Sequence, residues 1–279
     1  MKTTLQTGLR IALYGAVIAA TVGCAEKPLV AEAVAVPAAS AQSVAEPADA
    51  KDILMRMAQF LAKAPKYSVT IASNYDVLQE SGQMIEFGES RNIIVNRPNG
   101  LRVDTEHSNG ERHLVQYDGN TITTFSPDQN VYAQVDKPGG IDEAVKYFLK
   151  DLGMRLPLAV LLVTQLPDEL ERRTQTLDYV GKTVINGSTA HHLAGRTETV
   201  DYQVWVAAGA QPLPLRIVLS YKNAPGQPQF KAQFADWNLT PKVDEAQFVF
   251  TPTEQSKKIA FAAQIPTISP VSPKQAGGK

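Results

Sequence analysis

Four histidines and a single cysteine are the groups with most reactive potential in this 279-residue sequence. His107 and His113 flank Asn109–Gly110, so a hairpin there brings the two imidazoles together with Glu106 and Glu111 nearby. That set makes at best a weak metal site, and a solvated hairpin tip is the simpler expectation. His191 and His192 are consecutive; in a strand they face opposite sides, cannot chelate one ion together, and are expected at the surface. Asp168–Glu169 with Glu171–Arg172–Arg173 is a charge run suited to a solvated helix end or loop. No GxSxG elbow, GxGxxG turn or GxxxxGKS/T loop occurs. The sequence therefore shows no enzyme constellation, no metal site and no cofactor site. A hydrolase would need His107, His113 and an acid to converge in a cleft. One cysteine excludes an internal disulfide, and 27 basic against 28 acidic residues leave no net field for nucleic acid.

The cysteine, Cys24, gains meaning from what precedes it. Lys2 and Arg10 are followed by the apolar run Ile11–Ala20, which is an export signal. The run is too short to cross a hydrocarbon core of about 30 Å, which needs roughly 20 residues. Thr21–Val22–Gly23–Cys24 comes next and resembles the lipobox of bacterial lipoproteins, with Thr21 where leucine is usual. The resemblance implies an acylated Cys24 as the mature N-terminus, with residues 1–23 removed as signal peptide, and a membrane held through the acyl anchor. An ordinary secretory signal cut after Ala25 is the alternative. By resemblance to enterobacterial lipoproteins, Ala25 in place of aspartate implies sorting to the outer membrane from the periplasm.

Residues 24–50 carry the cysteine and a stretch rich in Ala, Val and Pro with no aromatic side chain; it cannot bury enough surface to fold and is expected to be a disordered tether. As a random coil it would span on the order of 30 Å. The proline-bearing tail, residues 263–279, is read the same way. One domain, residues 51–262, remains.

That domain is expected to open with a helix capped by Asp49 or Asp52, whose face is Ile53, Leu54, Met57, Phe60 and Leu61. Alternating segments then follow, punctuated by Asn109–Gly110, Asp118–Gly119 and Asn186–Gly187, the strongest short hairpin signals. Asp142–Lys150 reads as a second helix, and the apolar run from Pro157 through Val163 as a third that must be covered. Strands resume at Asp178 and run to Trp237, with Asn223–Pro228 as a rim or a long hairpin connection. Roughly 11 strands are expected from the turn signals. The order predicts an α+β, mostly β fold: a large curved antiparallel sheet with helices packed on one face.

Tyr117–Asp118–Gly119–Asn120–Thr121, then Phe125 through Tyr132, resemble the hairpin and polar turn of the LolA/LolB superfamily of lipoprotein carriers. Tyr202–Val206 before Leu213–Ile217, and Phe234–Leu239 running to Phe248–Pro252, are similar too. The resemblance covers residues 52–258 and extends to a family of predicted periplasmic proteins of unknown function in that superfamily. It implies an incomplete barrel whose concave apolar face, closed by helices, accommodates acyl chains. The lining it implies is Ile71, Ile94, Tyr132, Val204, Val206, Ile217 and Leu219 from strands, with Leu158, Leu161 and Leu162 from the covering helix. For any one of them packed core is the simpler reading. A chain of about 16 carbons would contribute on the order of 10 kcal/mol gross there.

Two functions compete. One is a non-catalytic, monomeric envelope lipoprotein that binds a lipid or a lipidated protein. The other is a sensory or interaction module that recognises another envelope protein or polymer, with its concave face packed shut.

Overall fold

Asp49 caps the first helix: its side chain accepts from the Lys51 and Asp52 amides and starts α1, Ala50–Lys63. A computed structural model of the protein describes residues 49–151 and 156–261. Cys24, the leader, the tether and the tail lie outside the described residues. Ile53, Leu54, Met57, Ala58 and Leu61 bury one face of α1, and Ala64 before Pro65 ends it.

After α1 the chain forms β1 (Lys66–Leu78), β2 (Met84–Asn96), β3 (Gly100–His107), β4 (Arg112–Tyr117), β5 (Thr121–Ser126) and β6 (Val131–Asp136). Then come α2 (Ile141–Lys146), which runs on as a wider turn through Asp151, a 3-10 turn at Ala159–Leu162, and α3 (Leu166–Arg173). Five more strands follow: β7 (Thr176–Ile185), β8 (Ser188–Arg196), β9 (Asp201–Ala207), β10 (Pro214–Ser220) and β11 (Gln229–Asn238). A two-residue β12, Lys257–Lys258, closes the set. All twelve make one open sheet in the order β12-β6-β5-β4-β3-β2-β1-β11-β10-β9-β8-β7. Every neighbouring pair is antiparallel except β12 with β6. The fold is thus the mostly β, helix-covered open sheet that the sequence predicts, with one strand more than the turn signals suggest.

Local chemistry explains the hairpins. Asn186 and Gly187 both have positive φ, 47° and 78°, the geometry that matches strand twist. At Asp118–Gly119 the aspartate Oδ1 accepts from the Asn120 and Thr121 amides at 2.9 and 2.8 Å, while Gly119 has φ 92° with the Asn99 side chain against its α-carbon.

The expected helix from Pro157 does not form. Leu158 adopts φ 67°, and the run folds as the short turn Ala159–Leu162. Asp142 of α2 takes the Thr164 amide at 3.0 Å and its hydroxyl, ending the apolar segment at that point. A full helix would have turned part of this run to water. The charge run is helical: Glu169 pairs with Arg172 and Arg173 at 2.6 Å in α3, and Glu171 reaches Lys51 of α1 at 2.7 Å.

The core lies on the concave face. Helix α1 meets β7, β8 and β9, and beneath it Leu193, Val204, Val206 and Ile217 are buried. Leu193→Ala should cost about 3 kcal/mol, measured as a lowered urea midpoint at unchanged slope. On the convex face the segment after β11 folds back over β3–β5. Gln116 Nε2 donates to the Gln247 carbonyl at 2.7 Å, Phe248 is buried, and Phe250 packs on Phe125 and Tyr132 at 4.9 and 5.0 Å.

Candidate functional site

The two ends of the concave face are filled differently. Over β7–β9 the side chains meet α1 directly, but over β1–β5 a cavity of about 840 Å³ opens between sheet and lid. Pairing fixes its floor: Val69 faces Ile93, which faces Val103, then Val115, then Thr124, one row across five strands. Leu156, Leu158, Leu161 and Leu162 line it from the turn, Val145 and Phe148 from α2, and Leu61 from α1. Phe234 and Trp237 of β11 form the wall toward the packed half. The volume falls within the roughly 300–1,000 Å³ of small-molecule sites.

Trp237 shares the cavity with Phe234 although the two are three residues apart, which strict alternation forbids. The pairing of β1 with β11 shifts register between Ser68 and Thr70, and Asp236, in the bulge that this leaves on β11, has φ 53°. The extra residue rotates Trp237 inward, where its ring stacks on Phe234 at 5.9 Å and its Nε1 donates to the Pro214 carbonyl at 3.1 Å. Tyr67, at the base, is fully buried, and desolvation pushes its phenol up to about 12.

The other end of the same floor is polar. One register step from the apolar row, Ile71 faces Arg91, Arg91 faces Thr105, and Thr105 faces His113. One further step along stand Ser73, Glu89 and His107. Glu89, with a side chain 4% exposed, accepts from Ser73 Oγ at 3.1 Å, pairs with Arg91 at 2.5 Å and lies 3.6 Å from His107 Nδ1. His107 and His113 meet edge-on at 5.2 Å between centroids.

These histidines are therefore cavity residues, not the solvated hairpin tip expected of them. Burial, and secondarily His107, hold His113 below the ordinary histidine range, with Glu111 and Asp128 offsetting part of the shift. An unfolded chain takes up the proton at the ordinary value while the folded one resists, so stability falls as pH drops through about 6.5. Melting temperature should decline between pH 7.5 and 5.5, and His113→Asn should flatten that decline; an unchanged slope would assign it elsewhere.

Two histidines and an acid thus converge in the cleft, but they are not connected as a Ser-His-acid triad. The Ser73 hydroxyl donates to Glu89, not to an imidazole. Glu106 lies on the opposite face of β3 from His107, and among the described residues no group of three His, Cys, Asp or Glu side chains is placed to hold a metal. His191 and His192 take opposite faces as expected, but both are half-buried. His191 Nδ1 meets the Tyr179 hydroxyl at 3.2 Å, and His192 stacks on Trp205 at 4.1 Å.

Of the ten lining positions the sequence suggests, Ile71, Leu158, Leu161 and Leu162 border the cavity. Val204, Val206, Ile217 and Leu219 face inward but belong to the core or pack against it, away from the hollow. Ile94 and Tyr132 require correction: they lie on the convex face. Ile93 and Val95 carry the inward register, and Tyr132 packs beneath Phe250 while Val131 borders the cavity. Arg91 and Glu89 were missed, although they alternate with Ile93 and Val95 and so share the core-facing side. That charged pair on an inward parity was the available signal.

An open, curved antiparallel sheet with a helical lid over an apolar hollow defines a helix-covered half-barrel. Among the described residues no helix is long and apolar enough to cross a membrane. The chain belongs to the family described as "Predicted periplasmic protein (DUF2092)", which matches residues 50–262. Solved structures with a similar fold include an uncharacterized conserved protein from Thermus thermophilus, at 12% identity over 76% of this chain and 98% of that one, with TM-score 0.42. Others are the Mycobacterium tuberculosis lipoprotein LppX, at 17% identity over 69% and 97% with TM-score 0.42, and the Pseudomonas aeruginosa MucA/MucB complex, at 20% over 73% and 62% with TM-score 0.40. No curated protein matches the sequence.

Proposed function

We propose that this protein is a non-catalytic envelope lipoprotein, held at the outer membrane by an acylated Cys24, whose monomeric domain binds a lipid or the acyl part of a lipidated protein. The observation that supports this reading is the half-filled concave face. A sheet able to pack solidly under α1 leaves about 840 Å³ open beside it, floored by a row of valines and isoleucine. Apolar surface left exposed on such a floor favours burial by an apolar ligand over contact with water. Each methylene moved into it from water contributes about 0.8 kcal/mol before ordering costs.

Native mass spectrometry of the full chain carrying Cys24→Ser should show a retained or added long-chain amphiphile at a one-to-one ratio. A chain that neither retains nor takes up any would reject the reading and leave the module that recognises an envelope protein or polymer. Tritiated palmitate should label the wild type and not Cys24→Ser; equal label on both would reject the anchor.

A further inference from the structure

The polar end of the cavity carries a second conclusion, which rests on the amphiphile reading. Its groups sit on the same continuous floor as the apolar row, one and two register steps further along β1–β4. They form a band of ions and hydroxyls at one end of an oily trough.

The hydrogen-bond inventory of that band is lopsided. Its carboxylate, Glu89, is occupied: Ser73 and Arg91 hold Oε1, and His107 stands against Oε2. The Arg91 side chain has no bond to any described protein group except Glu89, so the rest of its five N–H donors are left for a ligand. The side chains of Thr105 and His113, which also line the cavity, make no hydrogen bond to another described residue. Glu111, at the exposed rim, is the one other carboxylate bordering the space among the described residues. What faces the hollow thus includes a guanidinium with open donors, its charge-balancing acid already paired.

We infer that this band is a head-group site and that the amphiphile it takes has an oxyanion head, a carboxylate or a phosphate, bound to Arg91 with its single acyl chain lying along the valine row. Guanidinium matches either head by paired N–H bonds, which gives geometric preference as well as energy. A quaternary ammonium head, with no N–H to donate, would meet the Arg91 cation and find the Glu89 charge already paired. A neutral alcohol would keep the tail contacts and forgo the charge-assisted bonds.

The test is calorimetric binding of palmitate, hexadecyl phosphate, hexadecanol and hexadecyltrimethylammonium, each below its aggregation concentration, to the delipidated full chain bearing Cys24→Ser. That substitution also removes any tethered acyl chain that would compete. At least one of the two anions should bind roughly tenfold or more tightly than hexadecanol, as charge-assisted bonds require, and which one does so identifies the head. In Glu89→Gln/Arg91→Gln, which removes both charges together, the preference should vanish while hexadecanol binds within about twofold of wild type. Hexadecanol bound as tightly as both anions, a preference for the ammonium, or a preference that survives in the double variant would overturn the head-group site and leave the cavity reading intact. Failure of all four to bind would overturn both.

Discussion

Tryptophan placed at Val103 is expected to be tolerated, while tryptophan at Val206 is expected to be ruinous, although both positions are inward-facing strand valines of one sheet. Val103 borders the hollow, so the larger ring has space to enter. Val206 is 0% exposed beneath α1. Forcing an indole into that packed layer should cost about 3 kcal/mol or more, seen as a lower urea midpoint or loss of soluble protein. Val103→Trp should keep its midpoint within about 1 kcal/mol of wild type and lose amphiphile uptake by roughly a hundredfold, as the indole displaces several methylenes' worth of ligand contact. Equal destabilisation at both sites would mean that the cavity closes in solution. Equal tolerance would mean that the α1 side is loosely packed.

Arg91→Gln alone should destabilise the fold by about 3 kcal/mol, because it strands the 4%-exposed Glu89 carboxylate without its counter-ion. Adding Glu89→Gln should recover most of that loss, since an amide can still accept from Ser73 and carries no charge to desolvate. A double-mutant cycle of chemical unfolding reads the coupling directly, and a coupling near zero would show that His107 or water compensates the carboxylate. Recovery in the double variant also keeps the binding comparison interpretable, because it separates loss of the head group's partner from loss of the fold.

How far these features were legible depended on which rule governed each. Hairpins written by Asp118–Gly119 and Asn186–Gly187, and the amphipathic α1 behind its Asp49 cap, follow from local chemistry, and the structure carries them as read. Facing was less legible. In the run Ile93–Ile94–Val95 all three side chains are apolar, so composition does not say which points inward; pairing with Val69 and Val103 decides it. Tyr132 looks like core because it is large, yet its neighbour Ala133 is the buried one, and the tyrosine is covered by a segment more than a hundred residues later. The apolar run after Pro157 has the composition of a buried helix, and its geometry is set by the distant carboxylate of Asp142. Whether a concave face is full or empty is a property of how far a lid stands from a sheet, and no periodicity encodes that distance. The polar band was within reach: Glu89, Arg91 and Ile93 share one parity, and two charges on a core-facing parity need either a partner or a guest.

The bulge at Asp236 has a bearing on how this protein can change over time. Because the inserted residue is what lets Trp237 face the interior three positions after Phe234, losing a single codon there would restore simple alternation with the indole two positions after Phe234, still on the inward parity. The partition between the solid and hollow halves would keep its wall through that change of length. Across descendants of this gene, then, the wall tolerates loss of the bulge residue, and the reach of the hollow is revised by substitution along its floor.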